Sequence, residues 1–247
     1  MPAVFDISAG QGVRIFRGLT SANLVPTGVG VSLLLHADGA EDSTVFTDSS
    51  LNNLSITAAG NARIKTDTKK FGIGSAYFDG NGDYLMCQGT ESLLGNGNFT
   101  FEFWVWFSNK TFQSITNTSP HHSFGISFNR YNDNKICLFI GDGSFWLRGL
   151  IAENALPNDV WHHVAVVADN GTMRLYQNGI SQTLSPAPEI GGANNVTPTG
   201  SGSQLFIGSS SFEGEYLQGY LDDLRITKGI ASYTANFTPP TSAFPNP

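Results

Sequence analysis

The sequence predicts an all-β fold, an antiparallel two-sheet sandwich with an extended N-terminal arm and a proline-rich C-terminal strap. Three observations carry this. The chain is built of short alternating runs divided by Gly, Asn, Asp and Pro, the pattern of a β-sandwich. Charged residues make up only 13% of the 247, against about 25% in average soluble domains, so the Glu, Lys and Arg that long helices carry on their wet face are in short supply. No apolar pattern at helical spacing persists over two heptads.

The elements follow in order. Residues 1–30 form a separate arm, rich in Gly and small residues. Within it "VRIFRGL" alternates over Val13, Arg14, Ile15, Phe16 and Arg17 without a hairpin partner of its own. Such a run is suited to strand addition onto another protein, so these residues are the expected partner anchor. The opening "MPAVFDISAGQGVRIF" lacks a basic start, a continuous apolar stretch and a small-residue cleavage site, so no cleaved leader is expected. No run approaches transmembrane length, and a soluble chain is expected.

Strands are expected at Val31–His36, Ser75–Phe78 and Tyr84–Cys87. The clearest is "NFTFEFWVWFS". Phe99, Phe101, Phe103, Val105 and Phe107 share one face, and Thr100, Glu102, Trp104, Trp106 and Ser108 the other. Large aromatics on both faces predict a central strand covered on both sides. Further strands are expected at Ser123–Asn129, Lys135–Ile140 and Phe145–Leu150. "WHHVAVVADNGTMRLYQNGISQTL" reads as a three-stranded meander, its turns at Asn170-Gly171 and Asn178-Gly179, because Asn-Gly accepts the positive φ of a type I′ hairpin. Gln204–Ile207 and Tyr220–Thr227 complete the set. The tail after Gly229 carries Pro239, Pro240, Pro245 and Pro247. Proline cannot donate to a central ladder, so the tail is read as an outer strap pinned by Tyr233, Phe237 and Phe244.

Charge excludes one class of function. The net charge is −7 and the 13 Lys and Arg form no cluster, which argues against nucleic acid. Cys87 and Cys137 lie in apolar stretches outside any metal-spaced pattern and are read as buried thiols.

The segments "SLLLHADG", "GSAYFDGNGDYL", "FTFEFWV", "WHHVAVV", "MRLYQNG", "FIGSS" and "GYLDDLRITKGIASYTANFTPP" occur in the order of laminin-G-like domains of the concanavalin A-like lectin/glucanase superfamily. The resemblance spans about Val31 to Pro240 and is similar above all to versions in bacteriophage virion proteins. It implies a jelly roll of two curved sheets and a domain over residues 31–247. It leaves function open among sugar binding, adhesion, hydrolysis and structural roles.

Laminarinase-type hydrolases of that superfamily place their carboxylates as E-x-D-x-x-E on one strand face, at the spacing a retaining mechanism needs. No Glu here is followed by Asp two positions later. Glu102 has no acidic partner on its strand, and the adjacent Asp222 and Asp223 would point to opposite faces. A non-enzyme is therefore expected. On simple alternation Asp222 shares the core face with Tyr220, Leu224 and Ile226, and Asp223 pairs with an exposed Arg225. A buried carboxylate must be paired. Asp222 is expected either to accept backbone N–H groups from "FDGNGDY" or to join Asp79 and Asp83 around calcium, a metal that laminin-G-like domains often carry. The histidine pairs His121-His122 and His162-His163 diverge on a strand and cannot chelate as units; His163 is read as packing beneath Trp161.

Candidate glycan-contacting aromatics are Tyr131, Trp146, Phe212 and Tyr216, each beside polar residues. The functional expectation is a non-catalytic structural protein on the exterior of a phage particle, as a decoration, fibre or tail component. It would contact other virion proteins through its arm and bind host surface polysaccharide, with a homo-oligomer compatible and no cofactor required. The alternatives are a glycan-binding adhesin outside a virion and, behind it, a glycoside hydrolase.

Overall fold

The structure is a computed structural model and describes residues 30–88, 93–94, 97–109, 111–119, 124–128, 131, 133–142, 146–188, 190, 204–210 and 214–247. The expected anchor Val13–Arg17, together with Phe212, His121 and His122, lies outside the described residues. In chain order the strands are β1 (Val31–Leu35), β2 (Ile56–Ala59), β3 (Arg63–Lys65), β4 (Ser75–Asp79), β5 (Tyr84–Gln88), β6 (Phe99–Phe107), β7 (Gln113–Ser119) and β8 (Phe124–Phe128). They continue as β9 (Lys135–Gly141), β10 (Trp146–Ala155), β11 (Trp161–Asp169), β12 (Thr172–Gln177), β13 (Ile180–Ser181), β14 (Leu184–Pro186), β15 (Gln204–Ile207) and β16 (Gln218–Lys228). There is no helix among the described residues.

Two antiparallel sheets of eight strands face each other. Sheet A runs β13-β12-β11-β6-β16-β4-β3, with β1 also on β16; sheet B runs β14-β10-β9-β8-β7-β15-β5-β2. The expected central strand is β6, held between β11 and β16. Its odd-numbered face supplies Phe99, Phe101, Phe103, Val105 and Phe107 to the core. Across the sandwich Phe107 stacks on Phe128 with centroids 3.6 Å apart. Its other face is covered too: Trp104 lies under Lys70 and the edge of Phe71.

Both Asn-Gly hairpins form with two successive positive φ angles, 47° and 81° at Asn170-Gly171 and 50° and 79° at Asn178-Gly179. This is the type I′ geometry whose twist matches the flanking strands. The third leg of the expected meander is cut short. Only Ile180 and Ser181 pair with β12; the chain then leaves sheet A, and Leu184–Pro186 pairs with β10 of sheet B. Leu184 packs against the main core there, a burial the meander would have denied it. Sequence reading also misses β2, β3 and β7, which are short or polar. In β7, "QSITNTS", polar side chains occupy both faces of an interior strand, so apolar alternation gives no signal.

The tail after Gly229 is the expected strap, and it crosses the outer face of sheet A. Phe237 and Tyr233 stack at 3.5 Å and cover Ala165, Val167 and Tyr176. The Phe237 N–H donates to the Gly179 carbonyl at 2.9 Å, and the Ser181 N–H donates to Asn236 Oδ1 at 2.8 Å.

The two turn glycines separate conformational cost from steric cost. A Cβ at Gly171 meets nothing within 4 Å, whereas one at Gly179 would run into the Phe237 carbonyl. Gly171→Ala should cost about 1 kcal/mol for its positive φ. Gly179→Ala should cost at least about 2 kcal/mol and loosen the strap. Equal losses in urea unfolding midpoints would show that the strap does not bear on this turn.

Candidate functional site

The outer face of sheet B is built by register. Antiparallel residues directly opposite one another share a face. Thr57 stands opposite Met86, Met86 opposite Phe206, and Phe206 opposite Asn117. Asn117 stands opposite Gly125, Gly125 opposite Phe139, and Phe139 opposite Gly149. Their neighbours along each strand, such as Leu85, Leu205, Ile126 and Leu138, point into the core. The row therefore faces away from it. Tyr84 flanks Phe206 at 5.5 Å on one side, and Trp146 flanks Phe139 at 5.5 Å on the other. Between these aromatic arms lies β7, whose outward Asn117 and Ser114 are almost fully buried.

Of the aromatics singled out from sequence, Trp146 opens β10 in this row and is half-buried. Tyr131, half-buried, lies in the turn between β8 and β9, and Tyr216, half-buried, forms an isolated bridge to Ser209. The structure thus places Trp146 on the sheet face and the two tyrosines in connections. Sequence reasoning missed Tyr84, Phe206, Phe139 and the β7 residues. The one signal for β7 was its β-branched run Ile115, Thr116 and Thr118.

The aspartates of β16 depart from simple alternation. Asp223 has a φ of 49°, and the pairing with β6 slips between Asp222 and Arg225. This bulge falls where the other neighbour of β16 changes from β4 to β1. Leu221 consequently faces the core before the bulge, and Leu224 and Ile226 after it. Asp222 stands opposite Trp104 on the outer face, not with Leu224 in the core. Asp222 Oδ2 accepts the N–H groups of Lys70 and Phe71 at 2.7 and 3.0 Å, so backbone donors do hold it, from the 66–73 loop rather than from "FDGNGDY". Asp223 is not exposed beside Arg225. Its carboxylate is fully buried, 2.7 Å from His36 Nδ1, and accepts the Phe244 N–H at 2.9 Å.

Arg225 reaches Glu102 instead, with Nε and Nη2 donating to Oε1 at 3.1 and 2.6 Å. Tyr233 OH donates to Glu102 Oε2 at 2.8 Å. His163 Nε2 is 3.3 Å from Oε2, within ion-pair range but out of hydrogen-bond alignment. Burial alone would raise the Glu102 carboxyl, yet His163 and Arg225 hold it below its ordinary value. His163 packs against Trp104 and Phe237, on the Glu102 face rather than beneath Trp161.

Asp79 and Asp83 adjoin each other but do not meet Asp222. Asp83 accepts the N–H groups of Asp79 and Asn61, and Asp79 accepts those of Asn81 and the Asn61 amide. Asp79 stands opposite Gln218, four residues back from Asp222, about 13 Å at the rise of a strand. Among the described residues no three His, Cys, Asp or Glu side chains are grouped to hold a metal ion. Cys87 and Cys137 are both buried, Cys87 in the core and Cys137 on the outer face of sheet B; burial pushes the Cys87 thiol up to about 12.

The family model described as Concanavalin A-like lectin/glucanases superfamily matches residues 79–232. No curated protein matches the chain in sequence. The botulinum neurotoxin serotype D binding domain superposes with a TM-score of 0.58 at 16% identity, over 80% of this chain and 48% of that one. The serotype D ligand binding domain in complex with N-acetylneuraminic acid gives 0.57 at 14%, over 85% and 48%. Domain 4 of AbnA, a GH43 extracellular arabinanase from Geobacillus stearothermophilus, in complex with arabinotriose, gives 0.59 at 18%, over 83% and 95%. The chain spans about half the length of the neurotoxin domains it matches, and at these identities the likeness is one of fold.

Asp222 gives a pH signature. Burial pushes it up to about 7, with Asp223 and Asp38 adding to this against the pull of the two amide N–H groups. The folded chain keeps this proton up to about pH 7, while the unfolded chain loses it near pH 4. The contribution of Asp222 to stability therefore falls as pH rises from about 4 to about 7. Asp222→Asn keeps an oxygen for both amides and removes the titration. Its unfolding midpoint should climb relative to the parent across that window and level off above it; parallel pH profiles would refute the assignment.

Proposed function

Since the chain belongs to the Concanavalin A-like lectin/glucanases superfamily, we propose that it is a non-catalytic glycan-binding module, displayed on the exterior of a phage particle. One observation carries the binding reading. The outer face of sheet B presents three half-buried aromatics, Tyr84 beside Phe206 on one side and Trp146, packed on the buried Phe139, on the other, with the polar strand β7 between them. Aromatic faces take the apolar side of a sugar ring, while polar side chains fix its hydroxyls. Solved structures of like fold with arabinotriose or N-acetylneuraminic acid in complex support a sugar ligand for this one. Glu102 supports the non-catalytic part: it is fully buried and engaged by Arg225 and Tyr233. The reading requires no cofactor.

The virion part rests on the ordered segments from "SLLLHADG" to "GYLDDLRITKGIASYTANFTPP" and on the arm with "VRIFRGL", which would join a neighbouring virion protein by strand addition. An adhesin outside a virion would share the glycan face and dispense with that partner.

Two measurements test this. On an array of bacterial surface polysaccharides the protein should bind, and Trp146→Ala should weaken that binding tenfold or more, as loss of about 1.4 kcal/mol of ring contact would; a blank array, or release of reducing sugar, would overturn the reading. Deletion of residues 2–28 should abolish incorporation into particles while leaving glycan binding intact, and unchanged incorporation would refute the anchor.

A further inference from the structure

A second aromatic row crosses the outer face of sheet A. Trp161 stands opposite Trp106, Trp106 opposite Tyr220, Tyr220 opposite Tyr77, and Tyr77 opposite Arg63. Residues directly opposite one another share a face. Their neighbours along the strands, such as Val105, Phe107, Leu221 and Phe78, point into the core. The row therefore lies outside, across β11, β6, β16 and β4, and spans about 14 Å from Trp161 to Tyr77 at the spacing of strands. All four rings are half-buried.

The segments that close the rest of this face stop short of the row. Phe71 and Lys70 of the 66–73 loop reach Trp104, and the strap covers His163 and Tyr176. Among the described residues the ring contacts of the four are made within the row. Trp106 lies 6.0 Å from Trp161, Tyr77 5.1 Å from Tyr220, and the Arg63 guanidinium 5.1 Å from the Tyr77 ring. The two tyrosine hydroxyls and the two indole N–H groups make no hydrogen bond among the described residues and, unlike Trp104 Nε1, are not buried.

A polar row runs alongside. Gln218 stands opposite Asp79. The Ser108 N–H donates to the Gln218 carbonyl at 2.8 Å, and Asn61 Nδ2 donates to Asp79 Oδ2 at 3.1 Å. Ser108, Gln218 and Asp79 are half-buried and Asn61 is exposed. The Gln218 side-chain amide has no partner among the described residues. An apolar protein surface seated here would bury these donors and acceptors unmet, at a cost. A sugar chain suits both rows, because each unit offers an apolar ring face to an aromatic and hydroxyls to polar side chains.

We propose that this row is a second glycan-binding surface, on the face opposite Tyr84, Phe206 and Trp146, and that it takes a linear oligosaccharide laid across the four strands. Sugar rings pack on Trp161, Trp106, Tyr220 and Tyr77, while Gln218 and Asp79 bond their hydroxyls. Two such surfaces back to back make the module bivalent, so that one copy joins two polysaccharide chains. This rests on the glycan-binding reading above and adds a site to it.

The test uses the full chain, titrated with arabinotriose, cellohexaose and chitohexaose and followed by calorimetry and by the NMR signals of its four indole N–H groups. The expected result is movement of the Trp106 and Trp161 signals, with a hexasaccharide bound at least tenfold more tightly than its monosaccharide. Trp106→Ala should weaken this binding at least tenfold. Gln218→Ala and Tyr220→Phe remove polar atoms that the fold does not use, so they should weaken it about threefold and leave the thermal midpoint unchanged. A merely structural role would spare affinity in both. Movement of the Trp146 signal alone would overturn this proposal and leave glycan binding on sheet B standing. A dimer that Trp106→Ala dissociates in sedimentation, with no sugar-induced shift in the row, would make the row an interface between copies and overturn it equally. No heat and no shift at any tryptophan with the three sugars would sink the broader reading, and this one with it.

Discussion

The layering of the molecule depends on one constraint: β6 and β16 lie at the middle of sheet A and must be covered on both faces. The core covers one face with phenylalanines. The other is closed as far as Trp104 by segments without regular structure, and buried carboxylates hold those segments in place. Asp222 takes the amides of the 66–73 loop, Asp223 takes His36 and the Phe244 amide, and Glu102 takes Arg225 and the Tyr233 hydroxyl. Each is a charge or polar group that could not be buried alone. The Glu102–Arg225 pair joins the two strands directly, and its rupture would leave an uncompensated buried charge. Phe244 then lies over the Arg225 guanidinium at 3.6 Å, tying the end of the chain to the same pair.

The acidic residues that invite a catalytic or metal reading are spent as fasteners on sheet A. The bulge at Asp223 is what permits it. By turning through a left-handed φ, β16 presents two consecutive carboxylates to one outer face and still returns Leu224 and Ile226 to the core. A regular strand would have sent one aspartate into the hydrocarbon interior. Sheet B has the opposite character: its outer face carries no fastening charge in the row.

Strand β6, both Asn-Gly hairpins, the strap and its three aromatic pins follow from the sequence alone, because each rests on local chemistry. Alternating aromatics permit only a doubly covered strand, Asn-Gly permits the positive φ of the hairpin, and four prolines forbid a ladder. The family was legible in the same way, from the order of short segments. Trp146 was the part of the candidate site that could be named, since its size alone makes it conspicuous.

The tertiary structure decided what depends on partners distant in sequence. The bulge in β16 comes from a change of neighbouring strand, which no local pattern announces. Leu184 leaves the meander because the core beneath sheet B buries it better. Strand β7 is a strand because β8 and β15 flank it, and its polar side chains hide it from any reading by hydrophobic period. Residue type and local conformational preference are written along the chain, and so the sequence determined the fold class and its turns. Register, bulges and the satisfaction of buried polar atoms are settled between strands, so only the folded sandwich placed the carboxylates on one face and drew the aromatics of four strands into one row.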